Sequence, residues 1–136
     1  MIKALVFFKI CAYYECMKTV LIIEDDPVFA LELEEELQAQ YTIEKSVEGM
    51  NAVSKVYATN PELILLDIDI LGEMDGLGVL KTIRADETYK KIPVIVLTNA
   101  GEEARSPAMT NGATEFLLKS EVSLEAIHAL VDQHLG

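Results

Sequence analysis

Four apolar runs in this chain stop at residues that do not belong in a core. Val20-Leu21-Ile22-Ile23 runs into Glu24-Asp25-Asp26, and Leu63-Ile64-Leu65-Leu66 into Asp67. Val94-Ile95-Val96-Leu97 runs into Thr98, and Phe116-Leu117-Leu118 into Lys119. Short apolar runs bounded by turn signals are the mark of strands buried on both faces, as in a parallel sheet. The ligand crevice of an open parallel sheet lies outside the carboxyl ends of its strands. If these runs are neighbours, three carboxylates, a hydroxyl and an ammonium converge there.

Between the runs the pattern is helical. Strands are expected at Lys18–Glu24, Thr42–Ser46, Leu63–Asp67, Pro93–Leu97 and Glu115–Leu118. The first helix is expected at Pro27–Ala39: Asp26 can cap it, Pro27 suits its first turn, and Phe29, Leu33 and Leu37 share a face. The next two are expected at Gly49–Ala58 and Gly76–Ala85, the latter with Leu77, Leu80 and Arg84 at helical spacing. Pro107 restricts the segment Glu102–Asn111 to a short helix or one starting near Ser106, and Gly112 ends it. A closing helix over Ser123–Leu135 has Ser123 as its cap. Five strand–helix units in series imply an α/β fold, a doubly wound parallel sheet with helices on both faces.

At 136 residues one domain is expected, and 51% apolar residues argue against disorder. The net charge of −12 argues against nucleic acid as a direct partner and suits a cation or a basic protein face. Cys11 and Cys16 are the only cysteines, so neither a disulfide framework nor a zinc set is available to the rest of the chain. A reducing, cytoplasmic location is the expectation. Residues 1–16 differ in character, being apolar and aromatic-rich. They are too short for a membrane span, are interrupted by Lys9 and make a poor signal peptide. They are read as an N-terminal extension, an upstream start or an arm, with the domain occupying 17–136.

Glu24, Asp25 and Asp67 held close together repel, so one must be protonated or a divalent cation must bind. Carboxylate oxygens with no nitrogen or sulfur ligand favour Mg²⁺. A metal there lets a carboxylate approach a phosphoryl group, and phosphoryl transfer asks for little beyond positioning and charge neutralisation. One carboxylate then acts as nucleophile and forms an acyl phosphate. Lys119 supplies a point charge and Thr98 a hydroxyl donor for the phosphoryl oxygens.

Residues 17–136 resemble the receiver domain of bacterial two-component response regulators. The motifs that carry the likeness are Ile22-Ile23-Glu24-Asp25-Asp26-Pro27, Leu65-Leu66-Asp67 with Met74-Asp75-Gly76, Val96-Leu97-Thr98, and Gly112-Ala113 before Phe116-Leu117-Leu118-Lys119. The resemblance implies a flavodoxin-like (βα)5 sheet of strand order 2-1-3-4-5. It makes Asp67 the phospho-acceptor, with Asp25 on Mg²⁺ directly, Glu24 through a water, and the Asp69 backbone carbonyl as a further ligand. Thr98 follows the phosphoryl group, Lys119 neutralises it, and Phe116 stands where the family has an aromatic switch. The implied donor is a phosphohistidine of a sensor histidine kinase or phosphotransfer protein. Output then passes through protein contacts on the fourth helix, fifth strand and fifth helix. Slow self-dephosphorylation would be its only enzyme-like activity.

Two features depart from the family. Ile68–Met74 separate Asp67 from Asp75, one residue more than usual, with the addition expected near Leu71-Gly72. Ser120 follows Lys119 where the family usually has a proline in a cis bond, and a cis bond before Ser costs about 3 kcal/mol. Asp26 and Asp75 read as a helix cap and a turn residue, the Asp69 side chain as solvated or tuning, and His128 and His134 as solvated. Three rival readings remain. A haloacid-dehalogenase-like phosphatase would use Asp67 as nucleophile and Asp69 as acid–base, but Glu24-Asp25 precedes the nucleophile and little chain follows Lys119. A phosphorylation-independent receiver-like binding module would not need the intact acceptor, Thr and Lys. A flavodoxin-like cofactor binder would want a phosphate-cradling loop where Glu24-Asp25-Asp26-Pro27 stands.

Overall fold

The computed structural model describes residues 17–70 and 74–136, and the side chains of residues 49 and 50 are not among those described. The N-terminal extension and the Leu71-Gly72 loop position expected from the sequence lie outside them. Strands β1 (Thr19–Ile23), β2 (Thr42–Ser46), β3 (Leu63–Leu66), β4 (Val94–Thr98) and β5 (Glu115–Leu118) alternate with helices α1 (Pro27–Leu37), α2 (Gly49–Thr59), α3 (Gly76–Ala85), α4 (Arg105–Thr110) and α5 (Leu124–Leu135). All strand pairs are parallel, in the order β2-β1-β3-β4-β5. The expected α/β class and 2-1-3-4-5 order are what is found.

Burial follows this order. The three inner strands are buried almost throughout, whereas β2 and β5 at the edges are only partly covered. Successive strand residues face opposite sides, and two cores result. Leu21, Ile23, Ile64, Leu66, Val94 and Val96 pack with α2, α3 and α4 on one face. Val20, Ile22, Leu63, Leu65, Ile95 and Leu97 pack with α1 and α5 on the other. Fully burying one such side chain contributes about 2 kcal/mol, so both faces hold the strand ends rigidly.

Several boundaries move. β3 ends at Leu66, not Asp67, and α1 ends at Leu37, not Ala39. β4 takes in Thr98, and α2 runs to Thr59, where Asn60 leaves in the left-handed region at φ 49°. A 3₁₀ turn over Glu102–Ala104 leads into α4, which places Pro107 in the first turn, where its missing N–H costs nothing. Gly112 follows α4 with φ +101°, a conformation that favours glycine, and Ala113 N donates to Ala108 O (3.0 Å) to close the helix end. None of the described helices is long and apolar enough to cross a membrane.

Candidate functional site

Strand register brings the site together. Ile23 pairs with Leu66, and Leu66 with Val96, so the residues after β1 and β3 emerge at one level. The ladder continues past the strands: Asp67 N donates to Ile23 O (2.9 Å), and Lys119 N donates to Thr98 O (2.9 Å). Asp26 caps α1, its Oδ1 accepting from Val28 N at 3.0 Å and Phe29 N at 3.4 Å, which bears out the cap reading. Asp26 N in turn donates to Glu24 Oε1 (3.1 Å) and helps fix that carboxylate.

Glu24 and Asp67 are buried, at 2% and 4% exposure, and Asp25 is open to solvent. One carboxylate oxygen from each lies within 4.8 Å of the other two. Lys119 Nζ sits 2.6 Å from Glu24 Oε2 and 3.3 Å from Asp67 Oδ2, and 4.7 Å above the Phe29 ring. Burial pushes the Glu24 carboxyl well above the usual carboxylate range, Lys119 pulls it back, and Asp67 pushes it up again. Burial also opposes the charge on Lys119, but the Glu24 and Asp67 carboxylates outweigh it and hold the ammonium above its ordinary pKa. One ammonium against three carboxylates is an incomplete balance. The donor set is all oxygen and has one exposed member for access. Octahedral Mg²⁺ spaces its ligand oxygens about 3 to 4 Å apart, which falls inside the 4.8 Å that bounds the three oxygens here. The residues therefore fit that ion.

Thr98 is fully buried, and its Oγ1 accepts from Ala100 N (3.0 Å) while donating to Asp69 Oδ2. Asp69 N donates to Asp67 Oδ1 (2.9 Å). Asp69 is exposed, as its solvated reading implies, and its carboxylate also accepts from Thr98. Phe116 is buried against α4, with the Arg105 guanidinium 4.8 Å from its ring centroid. Arg105 is forked onto Glu102 at 2.8 and 2.9 Å. Nothing in the linear pattern marks Arg105 beyond the spacing of that pair.

Asp75, read from the sequence as a turn residue, is instead the N-cap of α3 and accepts from Gly78 N (2.8 Å). Gly76 is needed for close approach: a Cβ there would meet Ile68 Cα at 2.2 Å and Asp67 O at 2.6 Å. Among the described residues no peptide bond is cis, so the Lys119–Ser120 bond is trans. Ser120 and Asn99, unremarked in the sequence as site residues, line a cleft of about 370 Å³ with Asp26, Phe29 and Lys119. His128 and His134 are not left to water. His128 Nδ1 lies 3.0 Å from Glu36 Oε1, and His134 Nε2 lies 3.3 Å from Glu115 Oε1, tying α5 to α1 and β5.

The family model for the response regulator receiver domain matches residues 20–132. The DNA-binding dual master transcriptional regulator RpaA of Synechocystis is 32% identical over 85% of this chain and 49% of its own length. The polar-differentiation response regulator DivK of Brucella ovis is 28% identical over 88% of this chain and 97% of its own. Of several other curated relatives the chain spans only 7% to 22%. Among solved structures, the receiver domain of a sensor histidine kinase from Pseudomonas aeruginosa, with a magnesium ion coordinated in its active site cleft, superposes with TM-score 0.79. It is 25% identical, over 89% of this chain and 99% of that one.

Proposed function

This chain belongs to the response regulator receiver domain family, the phosphorylatable switches of two-component signalling, and from that premise we propose that Asp67 is its phospho-acceptor. The observation that carries the assignment is the placement of Asp67: buried, within 4.8 Å of Glu24 and Asp25 oxygens, with an ammonium 3.3 Å away. Relatives are receivers of histidine kinases and response regulators, so a histidine kinase or a phosphotransfer protein is the partner upstream.

An Asp67 carboxylate oxygen attacks the phosphorus of the partner's phosphohistidine. The new P–O bond forms as the P–N bond breaks, and the imidazole, protonated on its other ring nitrogen, leaves with the electron pair. The nucleophile is already a carboxylate, so no general base is needed. Lys119 pairs with a phosphoryl oxygen, and Thr98 donates its hydroxyl proton to another. Asp25 and Asp67 directly, Glu24 through a water and the Asp69 carbonyl would hold Mg²⁺. When bound, that ion supplies the positive charge that lets two anions meet. The acyl phosphate then hydrolyses slowly in the same site, which makes the chain a switch and not an enzyme in the ordinary sense. Up to two added charges beside Thr98 reorganise the loop after β4. Phe116 repositions in response, and the α4–β5–α5 face presents a changed surface to a protein target in the cytoplasm, without direct nucleic-acid contact.

Incubation with Mg²⁺ and a small acyl-phosphate donor should give an acid-stable, base-labile label on the chain and none on Asp67→Asn. Label persisting in that variant would overturn the assignment. Rapid turnover of phosphate monoesters would favour the phosphatase reading in its place.

A further inference from the structure

A hydroxyl carries a single proton to donate. The Thr98 hydroxyl gives its proton to Asp69 Oδ2, and its lone pair receives Ala100 N at 3.0 Å. Thr98 is fully buried, so water does not reach its hydroxyl, although the Asp69 carboxylate that receives the proton is exposed. Asp69 is held in turn on both sides: its N–H donates to Asp67 Oδ1 (2.9 Å), and the next residue, Ile70, is 3% exposed in the α2–α3–α4 core. The acceptor of the Thr98 proton is therefore an anion fixed two residues from the phospho-acceptor. A phosphoryl group on Asp67 needs the same proton.

We propose that Asp69 is a positioning residue: it holds Thr98 in the resting arrangement, and the phosphoryl group must win the Thr98 proton from it before the switch turns. This rests on the reading of Asp67 as acceptor and Thr98 as the group that follows the phosphoryl. A ligand shifts an equilibrium only by its differential interaction with the two states. Here the resting state has the Thr98–Asp69 bond and the switched state has Thr98–phosphoryl, so Asp69 sets how much of the phosphoryl interaction goes into switching. A hydrogen bond to a charged group is strong enough for removal of Asp69 to favour the switched state by about tenfold.

The test uses the full chain with Mg²⁺ and beryllofluoride, a phosphoryl mimic, titrated against wild type, Asp69→Ala, Asp69→Asn and each of these combined with Thr98→Ala. Asp69→Ala should tighten binding about tenfold. Asp69→Asn should tighten it less, because the amide oxygen still accepts from Thr98. The gain should vanish in the Thr98→Ala background, since a double-mutant cycle isolates the pair. Equal gains for Ala and Asn, or a gain that survives Thr98→Ala, would mean that Asp69 acts by charge alone, and the proposal fails. A second measurement needs neither metal nor mimic. The Thr98 methyl resonance should shift in Asp69→Ala and return near its wild-type position in Asp69→Asn; no shift in Asp69→Ala overturns the proposal. Failure of wild type to take label on Asp67 would instead overturn the functional reading, so the two failures are separable.

Discussion

Lys119 pairs with both Glu24 and Asp67 in a setting where its side chain is only 9% exposed. Removing one partner of a buried ion pair leaves an uncompensated charge, which typically costs about 3 kcal/mol. Lys119→Met should lower stability by about that amount in urea titrations of the metal-free chain. Asp67→Asn should do the opposite and raise the midpoint, because it relieves repulsion among Glu24, Asp25 and Asp67. A Lys119→Met chain as stable as wild type would show that the pair does not carry the site's electrostatic balance. Glu24, Asp25, Asp67, Thr98 and Lys119 were legible as single letters because each interrupts an apolar run. Asp69 and Arg105 end none of these runs. Their partners, Thr98 and Phe116, lie on other strands, and no local pattern encodes such a meeting.

At the scale of elements, α3 is fastened to the end of β3 through a glycine. The Cβ of a Gly76→Ala chain would press on backbone at Ile68 and Asp67, atoms that cannot rotate away. Overpacking of this kind costs about 2 kcal/mol. We expect Gly76→Ala to unfold at correspondingly lower denaturant and to take label from an acyl phosphate more slowly than Gly78→Ala. At Gly78 the clash falls mainly on the flexible Met74 side chain, at 2.9 Å. Equal labelling of the two variants would mean that the α3 approach does not position Asp67. Element types and order were readable from periodicity, and caps at Asp26 and Ser123 were readable from residue chemistry, whereas Asp75, read as a turn residue, caps α3. The α4 segment was less so. Its short helix, six residues after a 3₁₀ turn, has too few turns to show a period, and packing of Ala108 into the core settles where it starts.

For the whole molecule, a charge of −12 makes any cation stabilising through screening, within about 10 Å at 0.1 M salt. A specific site must do more. At matched ionic strength, Mg²⁺ at a hundred times its dissociation constant should stabilise the chain by about 2.7 kcal/mol, a gain that thermal unfolding reads directly. Asp25→Asn should lose most of that gain while keeping the response to monovalent salt. An equal response of wild type and Asp25→Asn would place the effect on the general surface charge. The amino-acid order by itself determined the α/β class, the five-unit alternation and the chemical types at the strand ends, because burial and periodicity are local properties of the chain. Only the tertiary structure decided which ends meet. The 2-1-3-4-5 order and its register place Glu24 beside Asp67 and Lys119 between them. They also turn Asp69 onto Thr98, since hydrogen bonds between distant strands follow from packing of both faces at once and not from any one segment.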